Sequence, residues 1–99
     1  MPAVCRGDLV DQDVVHCSIP LRLERSPDVF VNSIGISRQG DNNHPHLVES
    51  GAICLTHQAA ITTGSPTVSI NGKGCGRIGD AVTACTSVAS GSTNVFCGP

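Results

Sequence analysis

The chain has 99 residues and a mass of 10.2 kDa, which is room for one small domain burying roughly 64% of its extended surface. Six basic against eight acidic residues leave a net charge of −2. That balance excludes a phosphate-binding surface, and with only Phe30 and Phe96 as aromatics there is no stacking platform for single-stranded nucleic acid. The apolar residues are small, so the core is thin and needs a further source of stability.

The start, MPAVCRGD, lacks the apolar stretch of a signal peptide. Synthesis in the cytosol is therefore expected, and no apolar run reaches the length of a membrane span. Six cysteines in such a chain point to metal binding or reduced thiols ahead of disulfides. Residues 20–25 (PLRLER) have no clear place, reading as an edge strand or a loop.

The next stretch opens an internal repeat. Residues 26–46 (SPDVFVNSIGISRQGDNNHPH) and 65–85 (SPTVSINGKGCGRIGDAVTAC) share eight of 21 positions without a gap. The shared residues are Ser26/Ser65, Pro27/Pro66, Val29/Val68, Asn32/Asn71, Gly35/Gly74, Arg38/Arg77, Gly40/Gly79 and Asp41/Asp80. Ser92-Thr93-Asn94-Val95 begins a third copy, and Arg6-Gly7-Asp8 echoes the Arg-x-Gly-Asp of the other two. Each copy reads as a short strand, a tight turn at Asn32-Ser33 or Asn71-Gly72, a second short strand and a Gly-Asp turn. The fold expected is all-β, a set of short hairpin units in a threefold internal repeat. Its units run roughly over 6–32, 33–71 and 72–98 of one domain spanning 1–99.

Alignment on the Gly-Asp turns brings out potential metal ligands. Asp41 is followed five residues later by His46, Asp80 by Cys85 and Asp11 by His16. His57 is a fourth candidate. If the units wrap around one axis, these side chains converge on it, and three imidazoles with a thiolate suit a tetrahedral Zn²⁺ site; Fe²⁺ is the lesser alternative. His44, two residues before His46, is a substitute or an outer neighbour of the site. Cys54, three residues before His57, is the alternative fourth ligand. Cys17 would point away from His16 in a strand. Cys5, Cys75 and Cys97 are expected as small buried thiols, with a disulfide after export as the alternative. Arg38 with Asp41 and Arg77 with Asp80 are expected to brace their turns.

The segment GKGCGRIGD, the Cys54-x-x-His57 pair followed by GSPTVSING, and the closing SGSTNVF resemble the PAAR-repeat proteins, which cap the spikes of type VI secretion systems and contractile phage tails. The namesake Pro-Ala-Ala-Arg is replaced by Gly35-Ile36-Ser37-Arg38 and Gly74-Cys75-Gly76-Arg77, where only the Arg and the following x-Gly-Asp remain. The resemblance implies a cone with a metal near its apex, held by His16, His46, His57 and Cys85. It implies a monomer whose broad base docks on a trimeric β-helical spike and helps pierce a target envelope. The chain would then end at the tip of a virion tail or a secreted spike. No effector extension is expected beyond the third unit. A zinc-stabilised adaptor and a zinc hydrolase are the competing readings, and a non-enzymatic role is the one expected.

Overall fold

The computed structural model describes residues 2–15, 18–50, 53–82 and 85–98. Among them there is no helix; eight short strands pair as four antiparallel hairpins. β1 (Phe30–Val31) pairs with β2 (Ile34–Gly35), and β5 (Ser69–Ile70) with β6 (Lys73–Gly74). Their turns carry positive φ at both central residues, 54° and 66° at Asn32-Ser33 and 55° and 78° at Asn71-Gly72. This turn geometry matches the twist of two strands joined by only two residues. β3 (His46–Ser50) and β4 (Ile53–His57) form the longest ladder, and β7 (Ala81–Val82) pairs with β8 (Thr86–Ser87).

What joins the hairpins is a closed cycle of backbone bonds. Cys5 N–H donates to the Gly76 carbonyl, Gly76 N–H to the Ser37 carbonyl, and Ser37 N–H to the Cys5 carbonyl, at 3.0, 3.0 and 3.1 Å. Each of the three segments thus satisfies one donor and one acceptor against the other two, with no free edge inside the ring. A Cβ at Gly76 would strike the Ser37 carbonyl oxygen, so the ring closes only over a glycine there.

The same side-chain devices recur beside each ring residue. Arg6 lies against Asp11, Arg38 against Asp41 and Arg77 against Asp80, with closest N–O distances of 2.8, 2.8 and 2.9 Å. In each pair the carboxylate also accepts the arginine's own backbone N–H, at 2.8, 2.8 and 2.7 Å. Asp8 takes no part in such a brace, although Gly7-Asp8 copies the Gly-Asp of the other units. It pairs instead with the Arg25 guanidinium at 3.0 Å. At the other end of the repeat, the Ser26, Ser65 and Ser92 hydroxyls accept the N–H of Val29, Val68 and Val95 at 2.9, 3.0 and 3.0 Å. Asn32 and Asn71 tie these features together. Each side-chain oxygen accepts from one brace arginine (Arg6 or Arg38) and from one serine of another copy (Ser92 or Ser26).

Two apolar clusters sit inside. Val4, Val31, Ile36, Ile70, Cys75 and Cys97 form one, flanked by Val29, Val68 and Val95; Cys5, Ile61, Val82 and Val88 form the other, flanked by Ala59 and Cys85. Both aromatics, Phe30 and Phe96, remain outside, about half exposed. Aliphatic and thiol side chains make up both clusters, and the molecule is elongated at 39 × 23 × 22 Å.

The unplaced stretch 20–25 buries Pro20 and Arg22 and leaves Glu24 exposed. Leu21 bridges Gln12 and Arg22 bridges Asn43, and Arg22 is fully buried. Ile61 and Val88 hold corresponding places, since each donates its N–H to the carbonyl of a brace aspartate, as Arg22 does to Asp11. Burial of a guanidinium there is matched by acceptors. Its nitrogens reach Asp13 at 2.9 Å, the Ser37 hydroxyl at 3.2 Å and the Asp41 carbonyl at 2.6 Å.

Candidate metal centre

The cluster next to Cys5, Ile61, Val82 and Val88 opens onto a group of three potential ligands. His46 begins β3 and His57 ends β4, and the two are direct cross-strand partners in the register of that hairpin. Directly opposed residues on an antiparallel pair project to the same face, so the pairing delivers both imidazoles together. Cys85 arrives from the turn between β7 and β8, where its N–H donates to the Val82 carbonyl at 2.9 Å. The three ligand atoms lie at 2.9 Å (His57 Nε2 to His46 Nε2), 3.0 Å (His57 Nε2 to Cys85 Sγ) and 3.2 Å (His46 Nε2 to Cys85 Sγ). The rings meet edge to face, with planes at 77°.

The surroundings fit a cation. His46 Nδ1 is 2.9 Å from the His44 carbonyl oxygen, so a proton on Nδ1 is held there and Nε2 is left with a lone pair for a metal. Two nitrogens and a sulfur gathered this closely could hold a metal ion. Burial pushes the Cys85 thiol above its ordinary range, and the Asn43 amide, 3.9 Å from the sulfur, pulls the other way. A cation adds to that second effect by stabilising the thiolate.

Beneath the cluster lies a polar network that the sequence did not advertise. Asn43, fully buried, donates to Asp13 Oδ2 at 2.9 Å and to Cys85 Sγ, and accepts the Ala59 N–H at 2.9 Å. Asp13 in turn faces Arg22. Among the described residues Asp13 Oδ1 is the one buried side-chain polar atom without a hydrogen-bond partner. The Arg6–Asp11 brace was also missed. A two-residue insertion, Leu9-Val10, separates Asp11 from the spacing of the other units, and positive φ at Asp8 and Leu9 marks where the chain absorbs it.

The remaining candidates fall as follows. His16 and Cys17 lie outside the described residues. Cys54 stands opposite Glu49 in the β3–β4 ladder, and its side chain also lies outside the description. His44 is exposed, with Nδ1 2.9 Å from the Pro45 carbonyl, and does not join the group. Cys5, Cys75 and Cys97 are buried free thiols.

Residues 52–99 match the PAAR motif family model, a segment holding His57, Cys85, the Arg77–Asp80 brace and Ser92. The chain carries a PAAR motif. PAAR-motif proteins are a structural family of spike tips in contractile injection systems. A comparison with curated protein sequences finds no match. Ahead of the matched segment stand Arg6, Arg38 and His46, which the structure joins to it through the Gly91 carbonyl, the Asn71 side-chain oxygen and the His46–His57 pairing.

Proposed function

We propose that this PAAR protein is the tip of a contractile injection machine, a phage tail or a type VI secretion system. Its three units would stand about one axis on the end of a trimeric β-helical spike, and it would help the spike breach a target envelope. The observation that carries this reading is the cycle through Cys5, Ser37 and Gly76, with one Arg–Asp brace beside each member. Three like segments bonded head to tail in a single chain give a monomer a face that a threefold partner can meet. Delivery from the cytosol to the outside of the producing cell, or to a virion tail, follows from that role.

The ligand set we infer is His16, His46, His57 and Cys85, with zinc as the ion. When bound, the ion supplies a rigid cross-link among segments otherwise held by short hairpins, so its role is structural. The chain's own part is to aim the ligands. The β3–β4 register sets the two imidazoles, the His44 carbonyl fixes the His46 tautomer, and Asn43 donates toward the Cys85 sulfur.

The test is co-expression with a trimeric β-helical spike protein, read by native mass spectrometry. One PAAR chain and one zinc per trimer is the expected mass. Zinc-loaded chain that never joins a trimer would favour the adaptor reading. Turnover of ester, amide or phosphoester substrates would overturn a purely mechanical role.

A further inference from the structure

The cluster of Val4, Val31, Ile36 and Ile70 contains two thiols that no metal claims. Cys75 Sγ and Cys97 Sγ are 3.0 Å apart, and the two residues are 1% and 6% exposed. A disulfide needs its sulfurs at about 2.05 Å, so a shift of about an ångström would bond them. The pair also sits at a seam. Cys97 belongs to the last segment, which closes the molecule against the first. Ala3 bridges Phe96, Cys97 N–H donates to the Pro2 carbonyl at 3.1 Å, and the Gly98 carbonyl accepts from the Ser65 and Thr67 hydroxyls. Cys75 follows β6 and bridges Arg38, next to the Ser37–Gly76 bond of the ring.

We propose that Cys75 and Cys97 form a disulfide in an oxidising environment, fastening the C-terminal segment to the ring. A small-molecule disulfide such as oxidised glutathione is the oxidant. The Cys97 thiolate attacks one glutathione sulfur, forming a mixed disulfide and releasing the first glutathione thiolate. The Cys75 thiolate then attacks Cys97 Sγ, forming the internal bond and expelling the second. The two protein thiols lose two protons and two electrons. The electrons reduce glutathione disulfide to two glutathione molecules, which take up the protons. Cys97 reacts first because it is the more exposed and lies in the terminal segment.

Burial and the contact with Cys97 hold the Cys75 thiol well above the ordinary range. Thiolate is therefore scarce in the closed state, and exchange waits on opening of the terminal segment. The inference stands apart from the spike reading, because it concerns only this pair and its seam.

The experiment incubates the zinc-loaded chain with oxidised glutathione, with and without a mild denaturant, and reads intact mass and tryptic peptides. The expected product has lost one pair of hydrogens, with the peptides of Cys75 and Cys97 joined. Denaturant should speed its formation. Its thermal midpoint should rise by about 10 °C, since the bond closes a 22-residue separation, and should fall back on reduction. Cys97→Ser should abolish both changes, and Cys97→Ala serves if the serine disrupts the apolar cluster. A stable glutathione adduct, a bond between other cysteines, or no change of mass in either solvent would overturn the proposal.

Discussion

Arg22 and Asp13 form an ion pair at 2.9 Å with neither side chain exposed. Charges taken this far from water cost several kcal/mol each unless they are paired. Removing one partner is therefore worse than removing both. Asp13→Ala or Arg22→Met alone should lower stability by about 3–5 kcal/mol, because either leaves a lone buried charge. The double variant Asp13→Val/Arg22→Ile puts aliphatic residues where Val82 and Ile61 already pair elsewhere in the fold. Urea denaturation should find it more stable than either single variant.

The brace aspartates should all be sensitive, since Asp11, Asp41 and Asp80 are 2–4% exposed and each holds a guanidinium and a backbone N–H. Replacement by Ala strands those donors and should cost about 2–4 kcal/mol at each site. Asp8→Ala breaks the half-exposed pair with Arg25 and should cost less than about 1 kcal/mol. Denaturant midpoints of the four variants, measured side by side, check the contrast.

Alkaline pH should weaken the fold through Cys5. Burial raises this thiol to about 12 from an ordinary value of 9.0. Between those values the unfolded chain ionises the thiol while the folded chain keeps its proton. The folded state then binds more protons, so stability falls as pH rises from about 9 toward 12, by at most about 1.4 kcal/mol per pH unit. Below about 9 the group contributes no slope. Unfolding curves in reductant across that window should slope downward, and Cys5→Ala should make the slope shallower, leaving the share of Cys75, while lowering stability at neutral pH.

Metal removal should act on the β3–β4 hairpin and the β7–β8 turn. Chelation with a strong zinc ligand should reduce amide protection around His46, His57 and Cys85, and leave the ring of Cys5, Ser37 and Gly76 protected. His46→Ala should give the same exchange pattern without chelator. Equal loss of protection at the ring would tie the whole fold to the ion.

Much of this was legible in the residues because repeats carry their own controls. Asn71-Gly72 declares a two-residue hairpin, and the matching position of Asn32-Ser33 extends it to a serine held at positive φ. Ser26, Ser65 and Ser92 announce the three serine-capped turns. His46, His57 and Cys85, singled out by register and residue type, lie together. The illegible parts involve partners far apart in sequence. PLRLER has the charge of a surface strand, and nothing local says that Asp13 and the Ser37 hydroxyl wait for Arg22. The insertion before Asp11 disguises the first brace as Arg6-Gly7-Asp8. Phe30 and Phe96, the two aromatics, invite a place in the core that a narrow interior has no width to accept.

The ring also governs when the chain can fold. Cys5, Ser37 and Gly76 come from its beginning, middle and later part, and Val4 N–H pairs with the Val95 carbonyl near its end. Until Gly76 and Val95 have been made, the first segment lacks part of its partners, and the cost of closing such long loops has to be met before those contacts reward it. Folding of this unit therefore waits until the residues through Val95 have been made, and the nascent chain offers unpaired strand edges to its neighbours until then.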